Sequence, residues 1–202
     1  HLMNGVFFLD LVRDLPAPAD AFEYARHYYA RYPALSLGHH PFLIALVEAP
    51  FVAVFGVSVT TARLVPLLFM LLGVYWTFRL ALECLDDAWA AAAAGLTFAS
   101  SAYVVELTQS VMTELPALSL SVAAALYCHR FAERQRSRDI LLATLLAAFA
   151  AWAKQLAVVI TPALIIYVWW RLGWRRLVRR DVLAAVALAT FVVAPLVPIT
   201  LV

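Results

Sequence analysis

Seven apolar runs separated by short polar links constrain this chain more than any other feature: residues 41–57, 62–82, 88–106, 114–132, 140–153, 155–170 and 182–202. Most approach the roughly 20 residues that a helix needs to cross the hydrocarbon of a bilayer. A water-soluble fold is excluded. Of the 202 residues 65% are hydrophobic and only 14% charged, and soluble domains carry about 45 to 50% apolar residues. The chain is read as an all-α, polytopic transmembrane helix bundle. Its two cysteines, Cys84 and Cys128, are too few for a disulfide framework or a metal site. No Gly-rich phosphate loop, GxSxG elbow, CxxC or HExxH spacing occurs, and no motif supports nucleic-acid binding.

Charge sets the expected topology. Arg130, Arg134, Arg136 and Arg138 fill one link, and Arg171, Arg175, Arg176, Arg179 and Arg180 another. Both links belong on the cytoplasmic side by the positive-inside rule. The two runs between them then form a hairpin that crosses out and back, with its outer turn near Trp152 to Gln155. Counting backwards puts 41–57 on the outer side together with residues 1–40. That run is short, contains Glu48 and Pro50, and is expected to lie in the outer interface, leaving about six crossings plus one interfacial helix. The expected division is an extracytoplasmic loop with amphipathic and interfacial helices, 1–58, and a transmembrane bundle, 59–202. Within the loop, Asp20 to Tyr32 reads as a short amphipathic helix capped by Asp20 and stopped by Pro33. No signal peptide opens the chain. Its apolar final run and abrupt start suggest a piece of a longer protein.

Ionisable residues at membrane depth are costly enough to be functional candidates by default. The topology puts Glu106, Glu114, Lys154, His39 and His40 at one face. Lys154 is the single lysine beside fourteen arginines. A compact ammonium in Ala-Trp-Ala-Lys-Gln-Leu suits an anion such as phosphate, and equally a lysine snorkelling from a helix end. Glu114, two residues before Pro116, reads either as a site carboxylate or as a helix-dipole cap. His39 and His40 are adjacent, so they do not share a helix face, and a metal is weakly supported.

The order of motifs resembles the GT-C membrane glycosyltransferases, in particular the branch of protein mannosyltransferases and lipid A aminoarabinose transferases. The residues that carry the likeness are Gly38-His39-His40-Pro41, Phe55-Gly56-Val57-Ser58 followed by Ala62-Arg63-Leu64, Glu114-Leu115-Pro116 and Ala153-Lys154-Gln155. The resemblance implies sugar transfer from a polyprenyl-phosphate donor to a lipid, protein or glycan acceptor. It implies a bacterial-type inner membrane location with an extracytoplasmic active site, and membrane lipids as partners. No cofactor is assigned, and a divalent metal stays open. Lys154, His39 and His40 are the expected donor-phosphate ligands, and Glu114 the expected catalytic carboxylate. The family's base is an Asp followed by Glu in the first outer loop. No such pair occurs in residues 1–40, and His1 to Phe8 resembles the stretch just after it, so the base and first span are expected upstream of the chain and the acceptor-determining half downstream. A second alignment sets Asn4 at the base position, where an amide cannot accept a proton. A transporter or channel bundle and a non-catalytic membrane scaffold are the alternative readings.

Overall fold

The computed structural model describes residues 2–14, 20–33 and 42–196, and every regular element in them is a helix. Near the N-terminus come α1 (Leu2–Asp14), α2 (Ala21–Arg31) and α3 (Leu43–Phe55). Two tyrosines latch α2 to α1: Tyr24 Oη donates to Asp14 Oδ2 at 2.7 Å, and Tyr28 Oη donates to Asp10 Oδ2 at 2.8 Å. The expected α2 is present, but Asp20 makes no side-chain cap. Helix α3 has 13 residues, about 20 Å at 1.5 Å per residue, too short to cross. Gly56, at φ 77°, ends it in the region that glycine adopts without strain.

The long helix α4 (Val59–Leu85) starts where Ser58 Oγ accepts the Thr61 N–H at 3.0 Å, and stops at Asp86 in a left-handed conformation. Asp87 then caps α5 (Ala88–Ser100) by accepting the Trp89 N–H at 2.8 Å. The remaining helices are α6 (Ala102–Gln109), α7 (Glu114–Arg134), α8 (Ser137–Ala153), α9 (Ile160–Leu172), the short α10 (Trp174–Leu177) and α11 (Arg180–Val193), with a 3-10 turn, Gln155–Val159, before α9.

Contacts fix the helix directions. Gly73 faces Phe98 and Gly95 faces Phe78, so α5 runs antiparallel to α4. Phe69 meets Ser119 and Glu83 meets Arg130, so α7 runs parallel to α4. Ile140 packs with Phe131 and Cys128, and Lys154 reaches Glu114, which returns α8 antiparallel to α7. Tyr167 bonds His129 and Arg171 bonds Glu133, sending α9 along α7. Ser137 meets Asp181 and Trp152 meets Val192, aligning α11 with α8. Helical passes therefore alternate through the bundle.

The number of self-sufficient spans is lower than expected. Val59–Leu85 and Gln155–Leu172 are long and apolar enough to cross a membrane, or three spans exist if α5 and α6 count as one. Expected run 88–106 is broken: α5 and α6 meet at 52° across Ser101. Helix α7 carries Glu114, His129, Arg130, Glu133 and Arg134, α8 has 17 residues, and α11 has 14. These passes reach their depth through packing against neighbours rather than through apolarity alone. Tight approach does that work between α4, α5 and α7, where Gly73 leaves room for the Phe98 ring and Ser119 Oγ donates to the Phe69 carbonyl at 2.5 Å.

Candidate functional site

The bundle has two chemically distinct ends. At one, Glu83 of α4 accepts bonds from Arg79, Arg130 and Arg134, while Arg171 pairs with Glu133 and Arg176 with Asp181. At the other, a core of Ile44, Val65, Phe69, Ala117 and Ala153 joins α3, α4, α7 and α8. Lys154 and Glu114 sit on that second end.

Lys154 is held where the helix breaks. Helix α8 closes with the Lys154 N–H donating to the Ala150 carbonyl, and the residue itself is extended, φ −149° and ψ 123°, before the 3-10 turn. Its Nζ donates to Glu114 Oε1 across 40 residues of sequence. Glu114 is the first residue of α7, with Thr113 before it and Pro116 inside the first turn, where a missing N–H costs nothing. The lysine side chain is 37% exposed and the glutamate 26%, so the pair is open to a ligand yet shielded enough for its charges to act. Glu114 Oε2 is buried with no hydrogen-bond partner among the described residues. The pair thus presents ammonium protons beside a carboxylate whose second oxygen is shielded from solvent. Such an arrangement can bind a phosphate and hold or accept a hydroxyl proton.

The other expected site residues fall elsewhere. Asn4 is buried in α1, one residue from the point where Gly5 approaches Glu48 of α3. His39 and His40 lie outside the described residues. Two residues on from His40, the Phe42 ring centroid is 6.3 Å from that of Trp152, itself two residues before Lys154. Trp152 in turn donates Nε1–H to the Val192 carbonyl at 2.7 Å. Glu106 is exposed on α6.

Glu48 is a residue whose role the sequence did not reveal. It has no accessible surface, and neither carboxyl oxygen has a hydrogen-bond partner among the described residues. Burial pushes its pKa up from 4.5 to about 7. The only available signal was an acidic residue inside an apolar run, and that run's shortness absorbed it. The closing partner, Gly5, is 43 positions away: a Cβ there would lie 2.9 Å from Glu48 Cβ.

Fold and site together define a polytopic α-helical integral membrane protein with a cation–carboxylate pair at the end opposite its arginines. The chain belongs to the dolichyl-phosphate-mannose-protein mannosyltransferase family, whose model matches residues 39–199. Comparison with curated proteins and with solved structures finds no match. Membership makes it a glycosyltransferase-type protein that depends on a polyprenyl-phosphate sugar. Lys154, Glu114 and Glu48 all fall within the matched stretch.

Proposed function

We propose that this chain carries the donor-phosphate half of a transferase site at the extracytoplasmic membrane face, and that it moves a sugar from a polyprenyl phosphate to a protein hydroxyl. The observation that carries the reading is the Lys154–Glu114 pair, which closes the open end of the antiparallel α7–α8 hairpin on the side away from the arginine clusters. Its division of labour follows from charge. As the sugar leaves, negative charge grows on the departing phosphate, and a preorganised ammonium stabilises that charge more than it stabilises the bound donor. Glu114 Oε1 fixes the ammonium, and the exposed part of the carboxylate, rather than the buried Oε2, is the side that an acceptor or sugar hydroxyl would meet. Residues 1–58 and the link before α7 form the outer surface on this reading. His39 and His40 supply further phosphate contacts, while Asn4 stands at the base position only in the second alignment, in which the amide could accept no proton. A lipid-borne donor suits a site at membrane depth, because the carrier never has to leave the bilayer.

The test is sugar transfer from a polyprenyl-phosphate donor to an acceptor peptide in proteoliposomes, with expression and folding normalised. Lys154→Ala removes a charge-assisted contact worth on the order of 2 to 4 kcal/mol in the transition state, so the rate falls roughly 30- to 1,000-fold. Lys154→Arg recovers part of it, since a planar guanidinium on a longer stem does not reproduce a compact charge. Wild-type turnover in the alanine variant would remove Lys154 from the site and leave it a snorkelling residue.

A further inference from the structure

The arginine end holds more positive charge than its own carboxylates neutralise. Arg136, Arg175 and Arg180 have no ion-pair partner among the described residues, and Arg138 and Arg179 make only long contacts, 4.0 Å to Asp139 and 3.7 Å to Asp181. All five are exposed. Arg176 behaves differently. It is 6% exposed, lies 5.1 Å over the Phe131 ring, and donates to the Gln135 carbonyl at 3.2 Å and to Asp181 at 3.3 Å, so it pins the turn on which Arg175, Arg179 and Arg180 stand. Exposed Trp169, Trp170 and Trp174 mark the same end, and tryptophan in such numbers settles at headgroup depth.

A cavity of about 420 Å³ opens beneath this turn between α8, α9 and α11. Ile140, Leu177 and Val182 line it at the arginine end, Ala147 and Leu164 midway, and Val193 at the far end. From Val182 to Ala194 the cleft follows α11 for about 18 Å at 1.5 Å per residue. It follows most of the α8 pass, from Ile140 at the arginine end to Ala151, near the Trp152–Val192 bond. Spread over that length, the volume averages on the order of 20 Å² in cross-section, room for a hydrocarbon chain but well short of a helix about 10 Å across.

We infer that this cleft binds an anionic phospholipid from the leaflet at the arginine end, one acyl chain lying between α8, α9 and α11 and the phosphate held by Arg136, Arg175 and Arg180. Guanidinium groups pair with phosphate oxygens bidentately, and juxtamembrane basic residues favour acidic lipid. Chain and headgroup act together: the apolar slot alone does not select charge, and the surface arginines alone do not retain a lipid.

The experiment is native mass spectrometry of the whole chain, released from detergent with equimolar phosphatidylglycerol and phosphatidylcholine. Phosphatidylglycerol should be retained at least about tenfold over phosphatidylcholine. The combined Arg136→Gln, Arg175→Gln, Arg180→Gln variant should lose that preference; its changes are on the surface, and circular dichroism confirms the fold. Ala189→Leu, which projects into the cleft, should reduce retention of both lipids. Equal retention of the two lipids by the unaltered chain would overturn the inference, as would an unchanged preference in the glutamine variant. Displacement of the lipid by glycerol phosphate would reduce the site to a phosphate contact. Mole-for-mole displacement by a polyprenyl phosphate would assign the cleft to the donor instead, and either result overturns the proposal.

Discussion

A carboxyl with no accessible surface and no hydrogen-bond partner is far cheaper to bury neutral than charged, and Glu48 is in that position. Its pKa stands at about 7 in the folded chain against an ordinary 4.5. The folded state therefore holds a proton that the unfolded state has lost. Stability from this residue is complete below about 4.5, declines as pH rises between 4.5 and about 7, and stays low above that. At 1.36 kcal/mol per unit the decline is on the order of 3 kcal/mol. Thermal melts in detergent from pH 5 to 8 should show a downward slope for the natural chain and a flat line for Glu48→Gln; parallel curves would mean that the carboxyl is neutralised some other way. Glu114 offers a second residue-scale prediction. Glu114→Gln keeps a hydrogen-bond acceptor for Lys154 but removes the charge that holds it, so donor binding persists while turnover falls, on the order of 10- to 100-fold if the carboxylate handles a proton. Measuring kcat and KM separately in the transfer assay checks the split, and an unchanged kcat would make Glu114 a helix cap alone. Lys154 was legible in the sequence because it is chemically singular. Its partner was legible only through helix parity, since nothing local links residues 40 positions apart.

Element boundaries follow the apolar runs closely because each run is bracketed by residues with a definite backbone preference. Ser58 and Asp87 cap the starts of α4 and α5, while Gly56 and Gly173 adopt positive φ at the ends of α3 and α9. The bend at Ser101 was not legible. No proline or glycine stands there; Thr97 and Ser100 bond back to the Ala93 and Thr97 carbonyls, which weakens the helix just before Ser101, and α6 then packs on α4 and α7 in its new direction. Fewer helices than apolar runs are self-sufficient spans for a related reason: an apolar run says what a segment can bury, and α7 and α8 bury theirs against each other. Close helix approach gives the prediction at this scale. Gly73→Ala would place a Cβ 2.6 Å from Phe98 Cζ and 2.7 Å from Ser119 Oγ, and overpacking of that kind costs about 1 to 3 kcal/mol. Alanine's better helix propensity returns roughly 1 kcal/mol, leaving a net loss. A lowered midpoint in denaturant titration of the detergent-solubilised chain is the expected result; an unchanged midpoint would show that the Phe98 ring swings aside freely.

Taken whole, the molecule keeps ten of its fourteen arginines at one end, from Arg79 through Arg180, and Lys154 at the other. The two native cysteines report on this polarity without any design: Cys84 is exposed at the arginine end and Cys128 is buried. With arginines retained inside, a membrane-impermeant thiol reagent should leave Cys84 unmodified in intact cells and modify it after permeabilisation. A Gln109→Cys variant should label in intact cells. The reverse pattern would invert the topology and move the Lys154 pair to the cytoplasmic face. One further property of this end concerns the order in which the chain is made. Glu83 lies near the end of α4, but two of its three arginines arrive 47 and 51 residues later on α7. Until then only Arg79 offsets the carboxylate. A translocon delivering helices one at a time would leave α4 with an incompletely satisfied charge, so the knot favours holding α4 through α7 together and releasing them as a single cargo.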